Sequence, residues 1–279
     1  MNDCEEKSMI PKIIHLCWLS GDGFPCEIAN CLATWKETLR EYKICLWGKL
    51  PYDISCFGDL QVEKMEFDVN SVLWTKQAFE SKKYAFAADY IRLYALYNYG
   101  GIYLDSDVIV YKSFNDLLSL PYFVGHDQIR AIEAAVVGAQ QGCCWIKEVL
   151  DSYSGKSFIN SDGSFETLTM PCRIHHVLVE KGYRFFCLHS LINYVESPQC
   201  LYVFDGDFFN SRNAVEVRQT PKSYCAHNYA GSWTKKQTSC KEKIKKYIPK
   251  WLLRIIYVIG QNTWARNKYS WFQIPFEES

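Results

Sequence analysis

The stretch from Tyr84 to Tyr111, YAFAADYIRLYALYNYGGIYLDSDVIVY, constrains the fold most. Sixteen residues free of glycine and proline, rich in Ala, Leu and Tyr, predict a helix over Tyr84–Tyr99. Gly100-Gly101 then stops it in the usual C-terminal role of glycine. The run Ile102–Tyr111 reads as one strand. On a helix, Asp89 and Arg92 stand three apart and share a face. On a strand, Asp105 and Asp107 stand two apart and would point the same way. An ion pair in a helix this apolar carries a desolvation cost and needs a reason. Two carboxylates at a strand end suit Mg²⁺ or Mn²⁺ and, through the ion, a diphosphate.

The flanking sequence argues for an α/β domain. IPKIIHLCWLSG (10–21) reads as a strand buried on both faces, Pro25–Tyr42 as a helix and KICLWG (43–48) as a second strand. That opening fits a parallel unit of the nucleotide-binding type. Neither G-x-G-x-x-G nor G-x-x-x-x-G-K-[ST] occurs, so a dinucleotide fold and a P-loop are not supported. Further helices are expected at Val72–Lys83, Cys143–Tyr153 and Met170–Gly182, and strands at 121–127, 134–139, 199–204 and 224–229.

Composition excludes several classes. Lys+Arg and Asp+Glu both number 31, which argues against a nucleic-acid partner bound through a global basic field. The 13 cysteines contain no C-x-x-C pair, so a zinc ribbon is not expected. The start MNDCEEKS is acidic and lacks an apolar signal core, and the expected location is the reducing cytoplasm. No run reaches the ~20 apolar residues of a membrane span.

Taken together, A88-D89-Y90-x-R92, G100-G101-x-Y103-L104-D105-S106-D107, the opening I-P-K-x-I-H-x-x-W and the late AHNYAGSW (226–233) resemble glycosyltransferase family 32. In the opening motif, Leu19-Ser20-Gly21 stands where the family has x-G-G. The resemblance spans roughly residues 10–233. It implies a single GT-A domain, Rossmann-like with a mixed central sheet, over residues 1–238. It also implies a nucleotide-sugar donor, a UDP-hexose with galactose or glucose favoured, a divalent metal (Mn²⁺ or Mg²⁺), and retention of anomeric configuration.

Residue by residue, the resemblance puts Trp18 on the base and Asp89 and Arg92 on the donor sugar, with Tyr103 beside them. It puts Asp105 on the ribose and the metal shell, Asp107 on the metal directly, and His227 as a further metal ligand. Ser232 and Trp233 would close over the phosphates. Glu133 is expected near the reacting sugar, with Asp89 and Arg92, as part of the catalytic set.

Residues 239–279 form a separate tail. KEKIKKYIPKWLLR (241–254) carries six Lys/Arg and one acidic residue, followed by aliphatics. This suits a helix lying on an anionic membrane surface. A peripheral enzyme using a saccharide or lipid-linked saccharide acceptor, in capsule or other cell-surface polysaccharide synthesis, is therefore the leading expectation. Two others compete. LDSDVIV also matches a haloacid-dehalogenase-like phosphatase motif with Asp105 as nucleophile and FDGDFF as a later acidic motif. A non-catalytic saccharide-binding protein is the third.

Overall fold

The computed structural model describes residues 9–127, 131–195, 197–210 and 219–230, and residues 248–249, 252–253, 255–256, 259 and 277–278 further on. Among these, β1 (Ile13–Trp18), β2 (Lys43–Gly48), β3 (Val62–Met65), β4 (Gly101–Leu104), β6 (Tyr122–His126), β7 (Ile132–Ala139), β8 (Arg184–Leu188), β9 (Cys200–Phe204) and β11 (Glu277–Glu278) form one sheet. Its order is β11-β8-β9-β6-β7-β4-β1-β2-β3. Only β7 runs against its neighbours, pairing antiparallel with both β4 and β6. All other pairings are parallel. The C-terminal ends of eight strands therefore open on one edge, where ligands of open α/β sheets bind. This is the mixed, Rossmann-like central sheet that was expected. β5 (Val108–Val110) lies outside this sheet and pairs antiparallel with β10 (Cys225–His227).

Helices cover both faces: α1 (Cys26–Ala33), α2 (Trp35–Thr38), α3 (Leu73–Glu80), α4 (Tyr84–Tyr99), α5 (Cys144–Asp151), α6 (Met170–Glu180) and α7 (Gly206–Phe209). One apolar core holds α4, α5 and α6 against the sheet; the other packs α1 and α2 with Phe114, Phe204 and Phe209. The helix expected over Pro25–Tyr42 is two, because the chain bends at Thr34. Its hydroxyl bonds back to the Cys31 carbonyl at 2.7 Å and accepts the Val110 amide at 2.9 Å.

The strand expected over Ile102–Tyr111 is also two, β4 and β5. Between them Asp105-Ser106-Asp107 forms a turn closed by the Val108 amide on the Asp105 carbonyl at 3.1 Å. The alternation argument for two carboxylates on one strand face therefore fails. The turn, not the pleat, brings them together.

Gly100 and Gly101 explain themselves. Their φ angles are +64° and +103°, in the region that favours glycine. A Cβ on Gly101 would sit 2.7 Å from the Ile13 carbonyl oxygen, so α4 can enter β4 tight against β1 only without side chains here. The buried His15 locks this corner. Its Nε2 donates to the Gly100 carbonyl at 2.8 Å, and its Nδ1 accepts from Trp47 Nε1 at 3.1 Å. The expected boundary between domain and tail at 238/239 lies outside the described residues, but β11 returns the far C-terminus to the sheet edge beside β8.

Candidate active site

Two linked clusters stand on the C-terminal edge of the sheet. The first is built on α4. Arg92 Nη2 lies 3.0 Å from Asp89 Oδ1 and 3.3 Å from Asp105 Oδ1. Its Nη1 donates to the Ala134 carbonyl at 2.6 Å, and the guanidinium lies 4.4 Å over the Tyr103 ring. Tyr103 donates its hydroxyl to the same Asp105 oxygen at 2.8 Å. The helix ion pair thus has a partner one strand away, which is the reason it is buried. Burial pushes Asp89 up to about 6 although Arg92 opposes it, so this carboxyl stays mostly ionised at neutral pH and gains a proton under mildly acid conditions.

The second cluster joins β10 to β7. Asp105, Asp107 and His227 each present a ligand atom within 4.8 Å of the others. His227 Nε2 faces Asp107 Oδ1 at 3.3 Å and Nδ1 faces Glu133 Oε1 at 3.4 Å. Burial acts to lower His227, but Glu133 and Asp107 outweigh it and hold the imidazole well above its ordinary range. Burial would raise Asp107, yet His227 and the Ala230 amide, 2.8 Å from Oδ2, keep it low. Glu133 is buried and likewise kept low by His227, the Ala135 amide at 3.1 Å and the Tyr229 hydroxyl at 3.1 Å. Asn210 Nδ2 is a further donor to it at 3.0 Å.

Four carboxylates thus face Arg92 and one imidazole. Oxygen donors with a single histidine suit Mn²⁺ or Mg²⁺, and ligation would require His227 to give up its proton. The Asp105 contacts among the described residues are made by Oδ1, which leaves Oδ2 available to such an ion. The donor set fits the metal.

Trp18 ends β1 on the same edge. Its ring lies 4.8 Å from Phe24 and its Nε1 donates to the Asp22 carbonyl at 2.7 Å, which fixes the indole half-buried. The structure therefore brings Asp89, Arg92, Tyr103, Asp105, Asp107, Glu133 and His227 into one connected group, with Trp18 on the same edge. Ser232 and Trp233 lie outside the described residues. Sequence reasoning missed Asn210 and Tyr229, which hold Glu133. The Tyr229 ring lies tilted against His227 at 4.2 Å and the residue takes φ +50°, a conformation that its type does not announce. The phosphatase alternative loses its second motif: Asp205 caps α7 through the Asp207 amide and pairs with His189 at 3.0 Å. Neither Asp205 nor Asp207 joins the metal-capable group.

Residues 25–124 match the family described as "Glycosyltransferase sugar-binding region containing DXD motif". Inositol phosphoceramide mannosyltransferase 3 of Schizosaccharomyces pombe is 28% identical over 147 residues, 52% of this chain and 37% of that protein. The chain thus spans little more than a third of that relative. An uncharacterized glycosyltransferase, L373, of Acanthamoeba polyphaga mimivirus is 23% identical over 97% of this chain and 100% of its own length. Among solved structures, the PaToxG glycosyltransferase is similar with a TM-score of 0.49 and 21% identity, over 62% of this chain and 70% of that one. The galactosyltransferase LgtC, in complex with donor and acceptor sugar analogues, follows at 0.43 and 13%, over 82% and 91%. Residues 25–124, the stretch that matches the glycosyltransferase sugar-binding region with a DXD motif, include Asp89, Arg92 and the Asp105-Ser106-Asp107 turn.

Proposed function

We propose that the chain is a metal-dependent, retaining hexosyltransferase. It moves galactose or glucose from a UDP-sugar to a lipid-linked saccharide in cell-surface polysaccharide synthesis, at the cytoplasmic face of a membrane. The observation that carries the catalytic part is the Asp105–Asp107–His227 group, within 4.8 Å, sharing Asp105 with the Arg92-held Asp89. Asp105, Asp107 and His227 would hold Mn²⁺ or Mg²⁺, which when bound supplies Lewis-acid stabilisation of the leaving diphosphate.

The chain's own residues do the rest. Arg92 fixes Asp89 and Asp105 on one guanidinium, so the sugar-facing carboxylate and the metal-facing one keep a set separation. Tyr103 occupies Asp105 Oδ1 and leaves Oδ2 available. Asp89, ionised, accepts sugar hydroxyls and favours positive charge developing at the anomeric carbon. Trp18 stacks on the base. In a front-face displacement the acceptor oxygen bonds to the anomeric carbon as the carbon–oxygen bond to the diphosphate breaks. The acceptor proton passes to the departing diphosphate oxygen.

The lipid-linked acceptor and membrane surface rest on two supports. The yeast relative's name specifies a ceramide-based acceptor. In the tail, Ile255, Ile256 and Ile259 are 47%, 52% and 59% exposed beside a basic sequence. Among the described residues no helix is long and apolar enough to cross a membrane, so contact would be made by an interfacial helix.

The test is a screen of UDP-hexoses, with GDP-mannose included because of that relative's name, for donor hydrolysis with and without Mn²⁺. One donor should be hydrolysed only with metal, and Asp107→Asn should abolish this while keeping the wild-type melting temperature to within a few degrees. Turnover that survives EDTA, or an Asp107→Asn variant as active as wild type, would refute the metal assignment.

A further inference from the structure

β1 and β2 run parallel, and their register sets Trp18 beside Gly48 at the end of both strands. Gly48 has φ +115°, and a Cβ on it would sit 2.5 Å from the Trp18 carbonyl oxygen. The next amide, that of Lys49, donates to the same carbonyl at 3.0 Å. The segments that follow β1 and β2 therefore leave the sheet in contact with each other. We propose that Lys49 reads the base of the donor nucleotide by donating to a carbonyl oxygen, O4 of uracil or O6 of guanine, and so selects against cytosine and adenine. The inference rests on the reading of Trp18 as the base-stacking residue of the glycosyltransferase proposed above.

Three observations carry it. The first is where the lysine side chain runs. A Cβ on Gly21 would stand 2.7 Å from Lys49 Cδ and 3.1 Å from its Cβ, so the aliphatic stem lies along Gly21. Gly21, at φ +76°, adjoins Asp22, whose carbonyl accepts the Trp18 indole N–H at 2.7 Å. The loop that fixes the indole is thus the loop that carries the lysine stem, and a glycine there is what admits it.

The second is order along the sheet edge. The strands stand in the order β4, β1, β2. Asp105 follows β4, Trp18 ends β1 and Lys49 follows β2. Neighbouring strands lie about 4.8 Å apart, which sets Lys49 about 10 Å from the Asp105 turn with Trp18 between them. A nucleotide with its diphosphate at Asp105 and Asp107 and its base on Trp18 would turn the outer edge of the base, not its phosphates, toward Lys49.

The third is chemistry. Lys49 is exposed, and among the described residues no acceptor pairs with its ammonium. An ammonium has three donors and no acceptor. Uracil and guanine offer a carbonyl oxygen where cytosine and adenine carry an amino group. A lysine at that position gains a hydrogen bond from the first pair and meets an N–H donor in the second, and its flexible stem can reach either ring size. Tyr52 Cε1 lies 3.2 Å from where a Gly23 Cβ would stand, yet the residue is 93% exposed. It offers an apolar surface for a base to cover on the same loop.

The test is calorimetric titration of the full-length protein with UDP, CDP, GDP and ADP in the presence of Mn²⁺. Contacts to the metal and the diphosphate are common to all four and cancel in affinity ratios. Wild type should bind UDP over CDP, or GDP over ADP, by about tenfold or more, the scale of one hydrogen bond to a charged group. Lys49→Met, which keeps the stem over Gly21, should bring that ratio to within about threefold by weakening the carbonyl-bearing nucleotide. Lys49→Gln, whose amide both donates and accepts, should do the same. Equal weakening of both nucleotides in Lys49→Met would mean that the lysine meets phosphate, and would overturn the proposal. A preference that Lys49→Met leaves intact would overturn it as well. Binding of all four without preference refutes base reading by Lys49 and leaves the transferase reading intact, whereas binding of none refutes the nucleotide role of Trp18 with it.

Discussion

His15 offers a direct test of how the Gly100-Gly101 corner is held. A carbonyl only accepts, so the 2.8 Å contact with Gly100 puts the proton on Nε2, and Nδ1 must take the Trp47 N–H with its lone pair. A second proton would place two N–H groups against each other in a site with no exposure. Burial accordingly lowers His15 to about 4 although the Gly100 carbonyl opposes it. An unfolded histidine titrates near 6.5. The contribution of this neutral ring is therefore complete above pH 6.5 and is lost as pH falls from 6.5 toward 4, because the unfolded chain binds a proton that the folded chain refuses. At pH 5 the loss is about 2 kcal/mol, and below pH 4 it approaches about 3 kcal/mol. Other groups titrate in the same window. His175 is also lowered to about 4 and adds to the loss, whereas Asp89, raised to about 6, opposes it. The informative quantity is therefore a difference. Urea unfolding of wild type and His15→Gln is compared at pH 7, 6 and 5. The wild-type advantage should shrink by about 2 kcal/mol between pH 7 and 5. A gap that stays constant across that range would mean that His15 titrates normally and that its hydrogen bonds do not fix the tautomer.

Trp18→Ala should weaken UDP binding by ~1–3 kcal/mol, the scale of base–aromatic stacking, whereas Asp89→Ala should leave UDP affinity nearly unchanged and depress turnover. Calorimetry with UDP alone would expose the reverse pattern. Gly101→Ala should destabilise by ~1–3 kcal/mol from strain at φ +103° and further from the 2.7 Å approach to the Ile13 carbonyl. Gly142→Ala, at φ +77° with nothing within 4 Å, carries the strain without the clash. Equal melting temperatures for the two variants would deny the tight helix-to-strand entry. Replacing Lys243, Lys245 and Lys246 by Gln should reduce binding to anionic vesicles by up to ~1 kcal/mol per charge. Wild-type binding should fall with added salt, and salt-independent sedimentation would count against the membrane surface.

Local signals carried the elements that repeat over many residues. The α4 limits follow from sixteen residues free of glycine and proline closed by two glycines, and β1 and β2 from short runs buried on both faces. Long-range pairing carried the rest. Ile102–Tyr111 reads as continuous because both halves are β-branched and apolar, yet β4 pairs in the central sheet and β5 with β10, more than a hundred residues later. β3, with Glu63 and Lys64 exposed on an outer strand, shows no alternation to read, and β8, with Phe185 and Phe186 adjacent, breaks alternation as well. In the site, Asp89, Arg92 and the two aspartates were legible because they lie within 19 residues. Glu133's environment was not, since its donors come from Asn210, His227 and Tyr229 on segments that only the folded chain brings together.

β11 gives the end of the chain a protective role. Glu277–Glu278 pairs along β8, and Arg184 Nε donates to Glu277 Oε1 at 2.9 Å. Without it, β8 would present a row of open amides and carbonyls flanked by Phe185, Phe186 and Leu188, a template for strand addition between copies. Two acidic residues at that position block this both by occupying the ladder and by adding like charge between molecules. Shortening the chain to remove its basic segment would therefore uncover an adhesive strand as well, and loss of solubility in such a truncation would report on this edge rather than on membranes.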